Sequence, residues 1–150
     1  MFRKLITVLP AVLLAGVAMA AELTPLDALR SRFPGGIPWK VEILDLNDNT
    51  LGHVELVITM TPARSCRFGD GVRVEYLKAD PLLLPHAMGT YGVAKIDSDG
   101  ILIDLIGGGV CDAYRLMGGV LWSDGSSTGE IYRYGRFGQL DYATYRASVP

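Results

Sequence analysis

The residues best placed to do chemistry in this 150-residue chain are two aspartates on either side of a triple glycine. Asp104 and Asp112 bracket Gly107-Gly108-Gly109 within an otherwise apolar run at 100–122. A three-residue hairpin loop at the glycines pairs Ile106 with Val110. It also sets Asp104 directly opposite Asp112, with Cβ atoms about 5 Å apart. Carboxylates that close must share a proton, recruit a cation or arginine, or stay in water. A shared proton raises one pKa, which is how acid–base carboxylate pairs arise. The other face of this hairpin carries Ile101, Ile103, Leu105, Cys111 and Ala113 and is the more apolar. That face belongs to a core, so the expected arrangement sends both aspartates into water, where their repulsion is screened.

The remaining candidates for chemistry are sparse. Cys66 and Cys111 are the two cysteines; they form no CxxC, and an even pair in an exported chain is expected to be a disulfide. It closes a loop of about 45 residues, worth on the order of 4 kcal/mol through chain entropy. His53 and His86 lie on different segments, and His53 with Glu55 supplies at most two ligands of a metal site. Asp45-x-Asn47-x-Asn49 begins like a calcium loop, but Thr50 stands where the glycine belongs and Leu56 where the glutamate belongs. GxSxG, HExxH, the P-loop and GxGxxG are all missing from the sequence. No catalytic residue, metal or cofactor is therefore expected, and an enzyme is not.

Two apolar groups are candidates for binding. With 135–137 as the loop of the last hairpin, Tyr132, Tyr134, Leu140 and Tyr142 share one face. Turned inward, they fill a core and their hydroxyls need buried partners; turned outward, they form an adhesive patch for a protein. Core packing is the expected outcome. Leu82, Leu83 and Leu84, in the long irregular stretch 79–88, either cap a barrel mouth or face a partner.

The elements that position these residues follow from periodicity. Thr24, Pro25 and Asp27 suit a helix start, and Leu23, Leu26, Leu29 and Phe33 give one apolar face, so 21–33 reads as a short helix ended by Pro34-Gly35-Gly36. From Trp39 the period becomes two. Trp39, Val41 and Ile43 alternate with Lys40 and Glu42, and Val54, Leu56, Ile58 and Met60 alternate with His53, Glu55 and Thr59. Val72, Val74 and Tyr76 continue the pattern after a break at 61–64. Further strands fall at 89–97, 101–106, 110–122, 128–134 and 139–146, with a bulge near Gly118-Gly119 and a hairpin turn at Asp99-Gly100. Turns recur at short, even spacing. The expected fold is all-β: a single small antiparallel barrel, up-and-down with about eight strands, or else a sandwich, after the short helix and with one disulfide.

Residues 1–20 form a positive start (Arg3, Lys4), an apolar stretch and an Ala18-Met19-Ala20 cleavage pattern, the signature of a secretory signal peptide. That leaves 21–38 as helix and linker and 39–150 as the barrel, in the periplasm or beyond, with no membrane span in the mature chain. Lys and Arg number 14 against 16 Asp and Glu. Without the leader's two bases the net charge is about −4, with no basic stripe to hold phosphates, so nucleic acid is not an expected partner.

Trp39 at the start of the first strand and Arg146 near the end of the last make the chain resemble the lipocalin-type barrels. There a first-strand tryptophan packs under a last-strand arginine; here Gly36-Ile37-Pro38-Trp39 replaces the Gly-x-Trp of those proteins. The resemblance implies a barrel and nothing about activity. The functional expectation is an exported, non-enzymatic binding module for a protein of the cell envelope. The alternative is a carrier of a small apolar ligand inside the barrel, and less expected is an enzyme using the two aspartates. Oligomeric state is not legible.

Overall fold

A computed structural model of the chain describes residues 25–79, 91–98, 100–106, 111, 114–134 and 140–150. Helix α1 (Pro25–Arg32) precedes β1 (Ile37–Leu44), β2 (Thr50–Ser65), β3 (Gly69–Ala79), β4 (Gly92–Asp97), β5 (Gly100–Asp104), β6 (Tyr114–Leu121), β7 (Ser127–Tyr134) and β8 (Leu140–Ser148). The strands pair antiparallel in chain order, and β8 closes on β1 to make a barrel rather than a sandwich.

The alternation read from the sequence is what builds the interior. Trp39 lies opposite Leu56 and Val41 opposite Val54; Val74 lies opposite Ile58. Ile103 sits between Ala94 and Met117, and Ile131 between Met117 and Ala143. These side chains form one buried cluster, because residues two apart on a strand share a face. Among the described residues, the cluster occupies the barrel interior. A void of about 10 Å³ remains among Val41, Ile43, Val54, Leu56, Leu105, Met117 and Ile131, close to the space of one water-sized sphere.

Tyr145 needs glycine neighbours. It pairs with Gly129, which pairs in turn with Gly119. A Cβ built on Gly119 would lie 2.6 Å from the Tyr145 hydroxyl, and one on Gly129 would enter the Gly118 carbonyl. The ring thus lies over bare backbone, and its hydroxyl sits 2.8 Å from Ser127 Oγ. Helix α1 closes the nearby end of the barrel. Leu29 is fully buried and Phe33 packs beside it. Trp39 Nε1 donates to the Gly125 carbonyl at 2.7 Å, and Arg32 Nη1 donates to the Asp124 carbonyl at 3.1 Å. Gly36, at φ +105°, makes the left-handed turn from helix to strand that a Cβ would oppose.

Several expectations need correction. The helix is described over Pro25–Arg32 and ends at Arg32 rather than Phe33; 21–24 fall outside the described residues, as does the leader. β2 does not end at Met60 but runs to Ser65. A register shift between Ile58 and Pro62 absorbs the break at 61–64 as a bulge. Conversely, Gly118 and Gly119 make no bulge, since β6 pairs with β7 without a shift. The tryptophan–arginine packing of the lipocalin-type barrels is absent. Trp39 points inward, while Arg146 lies opposite Glu42 on the outer wall, exposed and 3.8 Å from Asp48.

Candidate functional site

Asp104 is held on the outer wall of β5. Ile101, Ile103 and Leu105 face the core, so Leu102 and Asp104 face out. Its strand neighbours are Val93 on β4 and Leu116 on β6. Asp112, which lies outside the described residues, is not its ladder partner. Asp104 lies opposite Leu116, and the Leu105 amide donates to the Arg115 carbonyl, so the ladder register is not the one a three-glycine loop would set. The opposed carboxylate pair is thus overturned by register. The alternative, a solvated Asp104, is overturned by burial: the residue is only 2 % exposed. Its Oδ2 accepts from Ser65 Oγ at 2.6 Å, and its Oδ1 accepts from the Ile106 amide at 3.2 Å.

The cover comes from the tip of the β2–β3 hairpin. β3 pairs with β4 only from Val72 to Val74, and below that the hairpin leaves the ladder. The Gly71 backbone lies so close to the Ala94 carbonyl that a Cβ would sit 2.4 Å from it. From there the tip crosses the outer face of β4 to reach β5. Val93, which points outward beside the core residue Ala94, is wholly buried beneath it.

Three consecutive tip residues then grip the far side. Ser65 binds Asp104. Cys66 joins Cys111 with an S–S distance of 2.00 Å and a Cα–Cα distance of 5.6 Å, so the expected disulfide is present. Arg67 Nη2 donates to the Cys111 carbonyl at 2.5 Å, and the Arg67 amide donates to Ser65 Oγ at 2.9 Å. Ser65 has no signal of its own in the sequence beyond standing next to a cysteine.

Behind Asp104, on the inner side of the wall, Tyr76 donates its hydroxyl to the Leu105 carbonyl at 2.6 Å. Burial pushes the Tyr76 pKa far up, the negative charge of Asp104 raises it further, and Arg115 draws it back. Arg115 is itself buried, on the core-facing register of β6 beside Leu105. Asp104, Tyr76 and Arg115 thus form a polar cluster through the wall. Its tyrosine stays protonated and is tied to the backbone. The arrangement ties the β2–β3 tip and the inner wall to β5 through Ser65, Asp104 and Tyr76.

Among the described residues no three of His, Cys, Asp and Glu gather where a metal could sit. His53 lies opposite Glu42 across the β1–β2 ladder. Both line a shallow outer groove of about 260 Å³ with Lys40, Arg146, Ala147 and Ser148. Glu42 accepts the Thr50 hydroxyl there at 2.6 Å. The lining mixes both signs of charge and selects no one ligand.

The outer wall along β6 is different in character. Met117 faces the core, so Leu116, Gly118 and Val120 face out, continued by Trp122 just beyond the strand. Val120 is 44 % and Trp122 52 % exposed. Leu102 leans over Gly118, 3.4 Å from where a Cβ would stand. Tyr132 lies opposite Leu116 on one side and Tyr142 on the other. It is partly buried and donates its hydroxyl to Glu130.

The register of the last hairpin is the one read from the sequence, with Tyr132 against Tyr142 and Tyr134 against Leu140. Tyr132 alternates with the core residue Ile131, so it sits on the outer wall and does not fill the barrel as expected. The side chains of Tyr134, Leu140 and Tyr142 lie outside the described residues, as do Leu82, Leu83 and Leu84. Val120 and Trp122 had been legible only as the end of a strand; their exposure follows from the parity of β6. No family model, curated protein or solved structure matches this chain.

Proposed function

We propose that this chain is an exported, non-enzymatic binding module that engages a protein partner through the outer wall of its barrel. The observation that carries this reading is the strip Leu116–Gly118–Val120–Trp122, flanked by Leu102 and Tyr132, on a barrel whose described inward side chains form one buried apolar cluster. A flat, partly exposed stretch with a tryptophan and a tyrosine has the composition of interface hot spots. Elsewhere the outer wall carries exposed Lys40, His53, Glu75, Lys95 and Arg146, with Leu51 and Leu77 as isolated exposed apolar residues. An apolar inside and a charged outside is the reverse of a membrane-spanning barrel, which supports an aqueous setting. The leader at 1–20 and the Cys66–Cys111 disulfide support export to an oxidising compartment. A carrier of a small apolar ligand is the weaker reading, because the void lined by Val41, Ile43, Val54, Leu56, Leu105, Met117 and Ile131 is only about the size of a water.

The test is capture from envelope extracts by immobilised mature protein, comparing wild type with Trp122→Ala. Removing one hot-spot aromatic is expected to weaken capture by about thirtyfold. Lys95→Ala, a change on a neighbouring charged stretch, is the control and should leave capture unaltered. Failure to capture any partner, or equal capture by wild type and Trp122→Ala, overturns the proposal.

A further inference from the structure

We propose that the Cys66–Cys111 disulfide is a redox-operated clasp. Closed, it holds the β2–β3 tip across the outer wall; opened by a dithiol reductant, it lets the tip lift and uncovers Val93 and Asp104. The inference stands on the geometry of the tip and is independent of the partner proposed above.

Four observations converge on it. Cys66 and Cys111 are both exposed residues, so the disulfide lies at the surface and not in the core, where a reductant can approach it. What they hold down is buried: Ser65 is 3 % exposed and Asp104 2 %. The tip is outside the barrel ladder, because β3 and β4 part below Val72. The ties that remain after reduction include Ser65 Oγ to Asp104 and Arg67 to the Cys111 carbonyl, beside the close approach of Gly71 to Val93 and Ala94. The first of these keeps a carboxylate out of water, and an ionised carboxylate regains its hydration once the tip lifts. Closed, the disulfide spans a sequence separation of 45 residues, which confines the tip's excursions.

The chemistry balances as an ordinary exchange. One thiolate of the reductant attacks a cystine sulfur, the S–S bond breaks, and a mixed disulfide forms. The reductant's second thiol displaces the remaining protein sulfur. Two electrons and two protons end on Cys66 and Cys111 as thiols, and the reductant leaves as its own disulfide. The uncovered ground is chemically distinct: one apolar side chain and one carboxylate, next to Leu102 and Leu116. Opening the clasp therefore exposes a carboxylate at the edge of the β6 strip.

Hydrogen exchange of the purified mature protein, oxidised and then reduced with dithiothreitol under native conditions, tests this. Peptides covering 62–71 and 102–106 should exchange about tenfold faster after reduction, while those covering β7 and β8 keep their protection. Re-oxidation should restore the original pattern. The double variant Cys66→Ser/Cys111→Ser should match the reduced protein. The proposal is overturned if the disulfide resists reduction until the barrel unfolds. Unchanged protection at 62–71 and 102–106 in the reduced protein sinks it too, as does an acceleration shared equally by every strand.

Discussion

Asp104 is a carboxylate that folding removes from water and then supplies with two donors. The Ser65 hydroxyl and the Ile106 amide replace the hydration it loses. Removing one donor leaves the charge buried with less compensation, so Ser65→Ala is expected to destabilise the barrel by about 2–3 kcal/mol. Urea unfolding measures this. Ser65→Ala combined with Asp104→Ala should cost less than the two single changes added together, since the second removes the group that the first leaves unsatisfied. Additive losses would show that the two side chains do not depend on each other. Asp104 stood out in the sequence because of its charge in an apolar run. Its surroundings did not, because the cover arrives from 39 positions earlier in the chain. Nothing local marks Ser65 as that cover.

At the scale of elements, alternation made the inward faces of β1, β2 and β3 legible, since one buried face leaves period two in the sequence. Pro62 and the lapse around it read as a strand end, yet the strand continues. A bulge keeps the inward register on both sides of the irregularity, which a strict alternation rule does not anticipate. Gly118-Gly119 reads as a bulge, yet β6 passes through it without a register shift. Gly119 leaves room for the Tyr145 hydroxyl, and Gly129 is pressed against the Gly118-Gly119 backbone.

That assignment predicts that Gly129→Ala costs about 1–3 kcal/mol, because its methyl meets backbone that cannot rotate away. Gly35→Ala has nothing within 4 Å of its new Cβ and should be close to neutral. Thermal unfolding of the two variants separates a crowded glycine from a merely flexible one. Equal losses would refute the role given to Gly129.

For the whole molecule, two inward tyrosines tie stability to alkaline pH. Burial raises the pKa of Tyr76 and of Tyr145. Asp104 adds to the effect at Tyr76, while the Ser127 hydroxyl lowers the shift at Tyr145. An unfolded tyrosine ionises near pH 10, about its ordinary value. Above that pH the unfolded chain gives up protons that the barrel retains. Folding then binds the extra protons, and stability falls as pH rises. The contribution is fully present below about pH 10 and is lost progressively beyond it. Urea midpoints measured from pH 8 to pH 11 should fall at the alkaline end. Tyr76→Phe/Tyr145→Phe, less stable at neutral pH, should show a shallower fall. An equally steep fall would place the alkaline sensitivity elsewhere.

The closure of β8 on β1 sets the order in which this chain can assemble. Every other pairing joins consecutive strands, so those ladders can form from neighbouring segments as they meet. The seam is where Lys40 must find Ser148 and Ile43 must find Tyr145, and there the entropy of closing almost the whole chain into a ring falls due. Until that contact forms the protein is a curled meander with two raw edges, open to pairing with another chain. Its vulnerability to aggregation is therefore concentrated in time, before the ring closes, and in space, along β1 and β8.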